Sequence, residues 1–316
     1  MRLATLKRGG RDGTLAAVSA DGARVAVVPG WPTLQAALDD WEAALPALHA
    51  AARAAARGEA VEADAFAAPL PRAWQWLDGS AFPTHGDLMQ QAFNLPPIET
   101  DKPLMYQGMS HQFLGGADGV RLPSESDGID FEGEFGVITG DVPMGCAAAE
   151  ALQHVRLIVL INDWSLRAIA PIEMKTGFGW VQAKPACSAA PFAVTPDELG
   201  DAWRDGRVCL PLTVEVNGAW FGNPIGDAMA YGFHELIAHA ARTRMLPAGT
   251  IIGSGTVSNP DHAVTGSTCI SERRAIEMIE HGAPRTPFLA FGDRVTMRAG
   301  EQVSPFGAIR QRVVSA

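Results

Sequence analysis

The chain has 316 residues, of which 47% are hydrophobic and 19% charged, so it is long and apolar enough to bury a substantial core. Its net charge of −10 argues against a nucleic acid or an anionic membrane as partner. Its four cysteines form no CxxC pair, which argues against a zinc site and fits reduced thiols in a cytoplasmic protein. We expect no signal peptide and no segment that crosses a bilayer.

The first hundred residues indicate a small α/β domain. Residues 1–30 alternate in hydrophobicity between glycine turns, which predicts short antiparallel strands. Thr33 is the predicted N-cap of a helix that runs through an alanine-rich stretch and stops at Gly58. Pro46 is expected to kink or divide this helix. No catalytic candidate lies in it, so we interpret residues 1–100 as a cap or interface domain.

Two loop histidines precede the β-rich part of the chain. His85 lies before a short predicted helix at residues 86–93, and a lone loop histidine is more often a surface group than a catalyst. His111 lies in a glycine-flanked loop that follows a strand beginning near residue 104. Because functional groups concentrate in loops held by rigid elements, a catalytic role for His111 is as well supported as a surface position.

The most informative stretch is residues 128–138, which alternates as a single β-strand should. Asp130, Glu132 and Glu134 then share one face, and apolar side chains occupy the other. Three carboxylates so close together repel one another, and a hard cation would relieve that repulsion. A solvated strand face is the alternative explanation of the same pattern.

Two later segments carry charge in apolar surroundings. Residues 155–163 predict a buried strand that ends in Asp163, a third candidate carboxylate for the ion, with an N-cap as its alternative role. Arg167 follows within one helical turn. Residues 180–185 predict a short strand on which Lys184 must either snorkel or find an anion.

The loop at residues 253–256, with sequence GSGT, could present backbone N–H groups and Thr256 to a substrate carboxylate. It lacks the Gly-Lys-Ser/Thr ending of a Walker loop. No dinucleotide fingerprint and no GxSxG elbow occurs in the chain, which weakens nucleotide-binding and serine-hydrolase interpretations.

Taken in order, these motifs resemble the fumarylacetoacetate hydrolase family, closely over residues 100–316 and more loosely before them. The motifs that carry the resemblance are DFEGE at 130–134, NDWSLR at 162–167, Lys184 and GSGT at 253–256. The resemblance implies a β-rich α+β fold, with a rolled mixed β-sheet in a catalytic domain at residues 101–316. It also implies a homodimer.

The resemblance further implies a divalent cation, Mg²⁺ in the first place and otherwise Mn²⁺ or Ca²⁺. Glu132, Glu134 and Asp163 match the metal-ligand positions of the family. Lys184 and Arg167 match residues that stabilise developing negative charge.

His111 matches the loop histidine that activates water, and Glu272 is the candidate acid that orients it. The predicted substrate contacts are Tyr106, Gln182, Gly255 and Thr256.

The sequence departs from the family pattern at two positions. Longer members carry a further aspartate ligand upstream of the histidine, and the same spacing counted back from His111 reaches Leu104. Shorter members pair the histidine with a glutamate three residues on, where this chain has Leu114. The orienting acid must therefore come from elsewhere in the chain.

The activity implied by the resemblance is hydrolysis of a carbon–carbon bond in a 1,3-diketo acid of the fumarylacetoacetate or acylpyruvate type, in the catabolism of aromatic compounds. Decarboxylation, hydration or isomerisation of 2-oxo acids on the same scaffold is the first alternative. A non-catalytic protein that binds small molecules is the second.

Overall fold

The computed structural model describes residues 1–94, 96 and 100–316. Their strands are β1 (Arg2–Leu6), β2 (Thr14–Val18), β3 (Arg24–Val27), β4 (Glu59–Ala60), β5 (Gln75–Gly79), β6 (Met105–Gly108), β7 (Leu114–Gly115), β8 (Val120–Leu122), β9 (Ile129–Asp130), β10 (Gly133–Thr139), β11 (Val155–Asn162), β12 (Ser165–Leu166), β13 (Ser188–Ala189), β14 (Phe192–Val194), β15 (Trp203–Arg204), β16 (Arg207–Val208), β17 (Leu212–Val216), β18 (Ala219–Gly222), β19 (Thr250–Gly253), β20 (Arg294–Ala299) and β21 (Ile309–Ser315). Their helices are α1 (Leu34–Asp39), α2 (Trp41–Ala54), α3 (Pro83–Phe93), α4 (Ala148–Ala151), α5 (Ala170–Thr176), α6 (Phe233–Ala240), α7 (His262–Thr265) and α8 (Ile270–His281). The predicted β-rich α+β class is confirmed.

The first helical segment begins at its predicted N-cap. Thr33 has an extended backbone, and its hydroxyl accepts a hydrogen bond from the Ala36 N–H at 3.1 Å. The segment divides at Asp40, between α1 and α2, and Pro46 lies inside α2 instead of marking the break. The helix breaks at Asp40 because the dihedral angles of this residue are non-helical. Pro46 removes only one backbone hydrogen bond, so α2 continues through it. The segment ends at Gly58, as predicted.

One large sheet carries most of the site. Within the described residues it has twelve strands, in the order β4-β3-β2-β1-β14-β11-β10-β19-β5-β6, with β13 joining β11 to β7. Strand β10 pairs antiparallel with β11 and with β19, whereas β19 pairs parallel with β5. Strand β1 pairs with β14, so the N-terminal strands continue the same sheet. The predicted boundary between residues 100 and 101 stays a prediction.

Alternation along β10 and β11 divides their apolar side chains between two cores, because successive residues of a strand point to opposite faces. The first core lies against the second sheet, which has the order β18-β17-β20-β21-β8. This core includes Phe135, Leu160, Leu212, Val214 and Met297. The second core lies under α1 and α2 and includes Leu38, Leu48, Ile138, Leu157 and Val159. The central strands of the large sheet are therefore buried on both faces.

The acidic stretch is two strands, not the single strand predicted. Strand β9 ends at Asp130 and β10 begins at Gly133. Between them the backbone passes from the small sheet of β9 and β12 into the large sheet, and side chains satisfy its N–H groups. Phe131 N–H donates to Asp130 Oδ1 at 2.8 Å, and Glu132 N–H donates to Asn162 Oδ1 at 3.1 Å. All three carboxylates of the stretch are buried, which excludes the solvated-face alternative.

The prediction of a strand at residues 180–185 is wrong, since this segment is irregular. Its position depends on Glu173 of α5, whose carboxylate accepts N–H hydrogen bonds from Val181, Gln182 and Ala183 at 2.9–3.2 Å. Side-chain acceptors therefore replace a strand partner here.

Truncation of Phe135 should strongly destabilise the fold. Its ring is fully buried and lies 6.1 Å from that of Phe306 between the two sheets. We expect Phe135→Ala to lower the free energy of unfolding by about 3–5 kcal/mol, measured by chemical denaturation. The matched control is Phe178→Ala, since Phe178 is 97% exposed and should change stability little. Equal effects of the two changes would contradict this description of the core.

Candidate active site

Three carboxylates converge where strands of the large sheet end. Asp78 lies near the end of β5, Glu134 lies near the start of β10, and Asp163 follows β11. Each offers one oxygen such that the three oxygens lie within 4.8 Å of one another, and all three residues are buried. Burial, together with the neighbouring charge of Asp163, raises the pKa of Asp78 and that of Glu134 well above their usual values.

This cluster fits a divalent cation. Neither carboxylate oxygen of Glu134 has a hydrogen-bond partner among the described residues, although both are buried. A buried carboxylate without a partner is costly, and oxygen-rich clusters of this kind suit hard cations such as Mg²⁺, Mn²⁺ and Ca²⁺. Two of the predicted ligands, Glu134 and Asp163, thus lie together, and Asp78, which the sequence analysis did not single out, lies beside them.

Glu132, the third predicted ligand, makes a different set of contacts. Its Oε1 accepts hydrogen bonds from Arg167 at 2.6 Å, Lys184 at 2.8 Å and Ser165 at 2.8 Å. Its Oε2 accepts one from Thr256 at 2.7 Å. Burial opposes ionisation, but Lys184 and Arg167 hold the pKa of Glu132 well below its usual value. Glu132 is therefore a charged bridge next to the cluster, and its role as a ligand stays a prediction.

Lys184 connects this bridge to the carboxylate cluster. Its Nζ donates to Glu132 Oε1 and also to Asp163 Oδ2, at 2.8 and 2.5 Å. Burial disfavours the ammonium form, but Asp163 and Glu132 outweigh burial and raise the pKa of Lys184 above its usual value. The predicted need of Lys184 for an anion is thus met by carboxylates, and its side chain is a fixed positive charge.

Asp163 is held from both sides. Tyr106 donates its hydroxyl to Oδ2 at 2.8 Å, and the buried thiol of Cys187 donates to Oδ1 at 2.8 Å. The next helix after Asp163, α5, begins only at Ala170, so the alternative role of Asp163 as an N-cap is excluded.

Asp130 has a separate, structural role. Arg167 donates to its Oδ2 at 2.8 Å, and the N–H groups of Ile270 and Ser271 donate to its two oxygens at 2.7 and 2.9 Å. A carboxylate at the first turn of a helix is favourable because it pairs with unbonded N–H groups. Asp130 therefore fixes the start of α8 and the position of Arg167 together.

Glu272 lies in the first turn of α8 and contacts His85 of α3. The distance from His85 Nδ1 to Glu272 Oε2 is 2.9 Å, and Glu272 is fully buried. The predicted pairing of Glu272 with His111 is therefore wrong. Helices α3 and α8 pack through Leu88 and Ile276, which keeps the pair aligned.

The register of β5 and β6 explains why His111 lies elsewhere. Asp78 pairs with Tyr106 near one end of these strands, whereas β6 continues away from Asp78 to Gly108 and His111 lies beyond that other end. The carbonyl of Ser110 accepts the Ala73 N–H there. His111 is exposed and does not line the cavity that contains the carboxylates.

The spacing of residues in the sequence already pointed to Asp78 and His85. Leu104 lies seven residues before His111, and the same spacing counted back from His85 reaches Asp78. With His85 in the place of His111, the aspartate at this spacing is Asp78 and not Leu104.

A cavity of about 360 Å³ is lined by Asp78, His85 and Lys184, among others. Of the predicted substrate contacts, Tyr106, Gly255 and Thr256 line it, whereas Gln182 does not and is exposed. Gly255 has a φ of +76°, and a Cβ on it would lie 2.5 Å from the carbonyl oxygen of Gly79. Only glycine fits this position, so the loop brings its backbone close to β5.

Comparison with known sequences identifies the family. The fumarylacetoacetate (FAA) hydrolase C-terminal model matches residues 75–314, and the fumarylacetoacetase N-terminal domain 2 model matches residues 1–72. The chain therefore belongs to the fumarylacetoacetate hydrolase family, which confirms the resemblance stated above.

Individual relatives match a smaller part of the chain than the family models do. A 2,4-didehydro-3-deoxy-L-rhamnonate hydrolase of Sphingomonas sp. (strain SKA58) is 31% identical over 163 residues, which cover 51% of this chain and 54% of that protein. A mitochondrial oxaloacetate tautomerase of Xenopus laevis is 27% identical over 158 residues, or 49% of this chain and 47% of that protein. The matched stretch thus spans about half the length of each of these relatives.

Solved structures share the fold over the whole chain. Maleylpyruvate hydrolase from Sphingobium sp. SYK-6, in complex with manganese(II) and pyruvate, superposes with a TM-score of 0.68 at 18% identity, covering 100% of both chains. A 5-carboxymethyl-2-hydroxymuconate delta-isomerase from Mycobacterium smegmatis gives a TM-score of 0.63 at 18% identity, covering 100% of this chain and 99% of that one. Among residues 1–94, 96 and 100–316, no helix has the length and apolarity that a bilayer span requires.

Substitution of Glu134 should separate the effects of charge and of metal. In wild-type protein, free Mn²⁺ at 100 times its Kd should add about 2.7 kcal/mol to the free energy of unfolding. Glu134→Gln should lose most of this gain, yet with chelator it should be no less stable than wild type, because it removes a buried carboxyl group without a hydrogen-bond partner among the described residues. Calorimetric unfolding with chelator and with Mn²⁺ measures both effects.

The control for this experiment is Glu301→Gln, which changes an exposed carboxylate far from the cluster in sequence. It should keep the full Mn²⁺ effect. An unchanged Mn²⁺ effect in Glu134→Gln would remove Glu134 from the set of ligands.

Proposed function

We propose that this chain is a divalent-cation-dependent hydrolase that cleaves a carbon–carbon bond in an acylpyruvate-type 1,3-diketo acid. The observation that carries the proposal is that one cavity is lined by Asp78 of the carboxylate cluster, by Lys184 and by His85 of the pair with Glu272. A cation site, a fixed ammonium group and a histidine held by a buried acid are the groups that hydrolysis of a ketone requires.

Asp78, Glu134 and Asp163 would hold the cation, with Glu132 adjacent. A bound cation supplies positive charge that polarises the two keto oxygens of a diketo acid. The manganese ion in the structure of maleylpyruvate hydrolase supports a divalent metal. Our proposal for the physiological ion is Mg²⁺ or Mn²⁺, with Ca²⁺ as a further candidate.

His85 is the proposed general base, in place of His111. When its Nδ1 carries a proton that is donated to Glu272, Nε2 is left free to accept one, a tautomer assigned from this contact. His85 would remove a proton from water, and the resulting hydroxide would attack the acyl carbonyl carbon. Glu272 acts by holding the ring and by stabilising the imidazolium.

Lys184 would stabilise the oxyanion that this attack creates, a contribution of about 3 kcal/mol per donor in comparable sites. Its position is set by Glu132, which Arg167 in turn holds. The bond between the acyl carbon and the neighbouring methylene carbon then breaks. Pyruvate leaves as its enolate and takes a proton from imidazolium, so that acylpyruvate and water give a carboxylic acid and pyruvate.

Decarboxylation of a 2-oxo acid needs no activated water, so the His85–Glu272 pair favours hydrolysis over decarboxylation. Isomerisation would use the same pair to remove a proton from carbon and stays the alternative. A role in the catabolism of aromatic compounds and a homodimeric state stay predictions that rest on the family resemblance. A cytoplasmic location stays a prediction that rests on the cysteine content.

Substitution of the two histidines tests the assignment of the base. His85→Ala should lower kcat for acylpyruvate hydrolysis by about 10²–10⁴-fold, because water then lacks its base, while the Kd for Mn²⁺ stays close to wild type. Turnover is followed by loss of the enol absorbance, and Mn²⁺ binding by titration calorimetry.

His111→Ala is the matched control and should keep wild-type kcat. Chelator should abolish turnover in all variants, and Mn²⁺ should restore it in wild type and in His111→Ala. A large loss of kcat in His111→Ala with normal turnover in His85→Ala would instead support the assignment made from the sequence.

A further inference from the structure

Two chemically different sets of residues line the cavity. Asp78 of the carboxylate cluster, Glu132 and Lys184 belong to the charged set. The apolar set consists of Leu104, Met105, Ala170, Met174 and Trp180. We refer to them as the apolar wall.

Every basic side chain that lines the cavity, among the residues that the structure describes, already contacts a carboxylate. Lys184 contacts Glu132 and Asp163. Arg167 contacts Asp130 and Glu132, and His85 contacts Glu272. A second carboxylate on the outer part of a substrate would therefore lose its hydration without gaining a counter-charge.

Three residues of the apolar wall lie on a segment that is held together by hydrogen bonds. Ala170 and Met174 belong to α5, and Trp180 belongs to the irregular segment that Glu173 fixes to α5 through three backbone N–H groups. The ring of Trp180 also packs edge-on against Tyr106, with centroids 6.3 Å apart. These contacts hold Trp180 beside both α5 and the Tyr106 side chain that donates to Asp163.

Two residues of the apolar wall are themselves open to solvent, since Leu104 is 43% and Met174 is 63% exposed. Exposed apolar groups that line a cavity favour a ligand that is itself apolar at that end, because its binding removes apolar surface from water.

We propose that the cavity takes 2-oxo acids with a single carboxylate, at the cluster end, and an alkyl or aryl group against the apolar wall. This inference rests on the proposed function and narrows its substrate class to acylpyruvates with an uncharged, apolar acyl group. Diketo acids that end in a second carboxylate are the excluded class.

Binding of a matched pair of ligands to the Mn²⁺-loaded protein tests this inference without turnover. 2-Oxohexanoate and 2-oxoadipate have the same chain length and differ in a terminal methyl or carboxylate group. We expect 2-oxohexanoate to bind about tenfold more tightly or better in titration calorimetry. Equal or tighter binding of 2-oxoadipate overturns the inference, and would direct attention to Arg242 and Arg244, which line a neighbouring cavity across β6.

Pyruvate serves as the reference ligand that separates the two proposals. If pyruvate and both longer acids fail to bind, the proposed function fails and the narrower inference fails with it. If pyruvate binds and 2-oxoadipate is not disfavoured, only the inference about the apolar wall fails.

A variant that adds a positive charge to the wall gives a second, independent measurement. Met174→Arg should tighten the binding of 2-oxoadipate and weaken that of 2-oxohexanoate, moving their affinity ratio by about tenfold, with pyruvate unaffected. Met174 is 63% exposed, so the change should be tolerated by the fold. The matched control is Ile172→Arg, on the same helix but outside the cavity lining, which should leave the ratio unchanged. An unchanged ratio in Met174→Arg contradicts the proposed placement of the outer group.

Discussion

The structure depends on the burial of more negative than positive charge in one place. Five buried carboxylates, those of Asp78, Asp130, Glu132, Glu134 and Asp163, surround two basic side chains, Lys184 and Arg167. Each charged group would be costly to bury alone, and the basic groups offset only part of this cost. Among these five carboxylates, Glu134 is the one whose two oxygens have no hydrogen-bond partner among the described residues. A divalent cation bound to Glu134 and its neighbours would offset most of the remaining negative charge.

Much of this site could be predicted from the sequence because several of its residues lie in short, recognisable stretches. The acidic stretch, Asp163 and Lys184 each appear as charges in apolar surroundings, and a charge there needs a partner. Their order along the chain, compared with the family, predicted a fold that is confirmed and a cation that the carboxylate cluster fits. Local patterns could not predict which role each acidic residue has, because contacts between distant segments decide it. Asp130 binds the start of α8, and Glu132 binds Lys184. Glu134 has no hydrogen-bond partner among the described residues.

Asp78 was not singled out from the sequence and Glu272 was paired with the wrong histidine, and both outcomes have the same physical origin. Asp78 and His85 lie on segments without an informative local pattern, and they come next to Glu134 and Glu272 because β5 pairs with β19 and α3 packs on α8. His111 looked more suitable because it lies close to the acidic stretch in sequence, yet the register of β6 carries it to the far end of the strand. Closeness along the chain was a poor guide here because the sheet joins strands that are far apart in sequence.

The parallel pairing of β5 with β19 also bears on the order in which the protein folds. The N–H of Gly255 donates to Asp78 Oδ1 at 3.2 Å across 177 residues of chain. Contacts between such distant residues form slowly, because closing a long loop costs conformational entropy before the new contact can stabilise the chain. Antiparallel neighbours such as β10 and β11 can form earlier from nearby segments. The affinity for metal should therefore appear late in refolding, after most of the secondary structure has already formed.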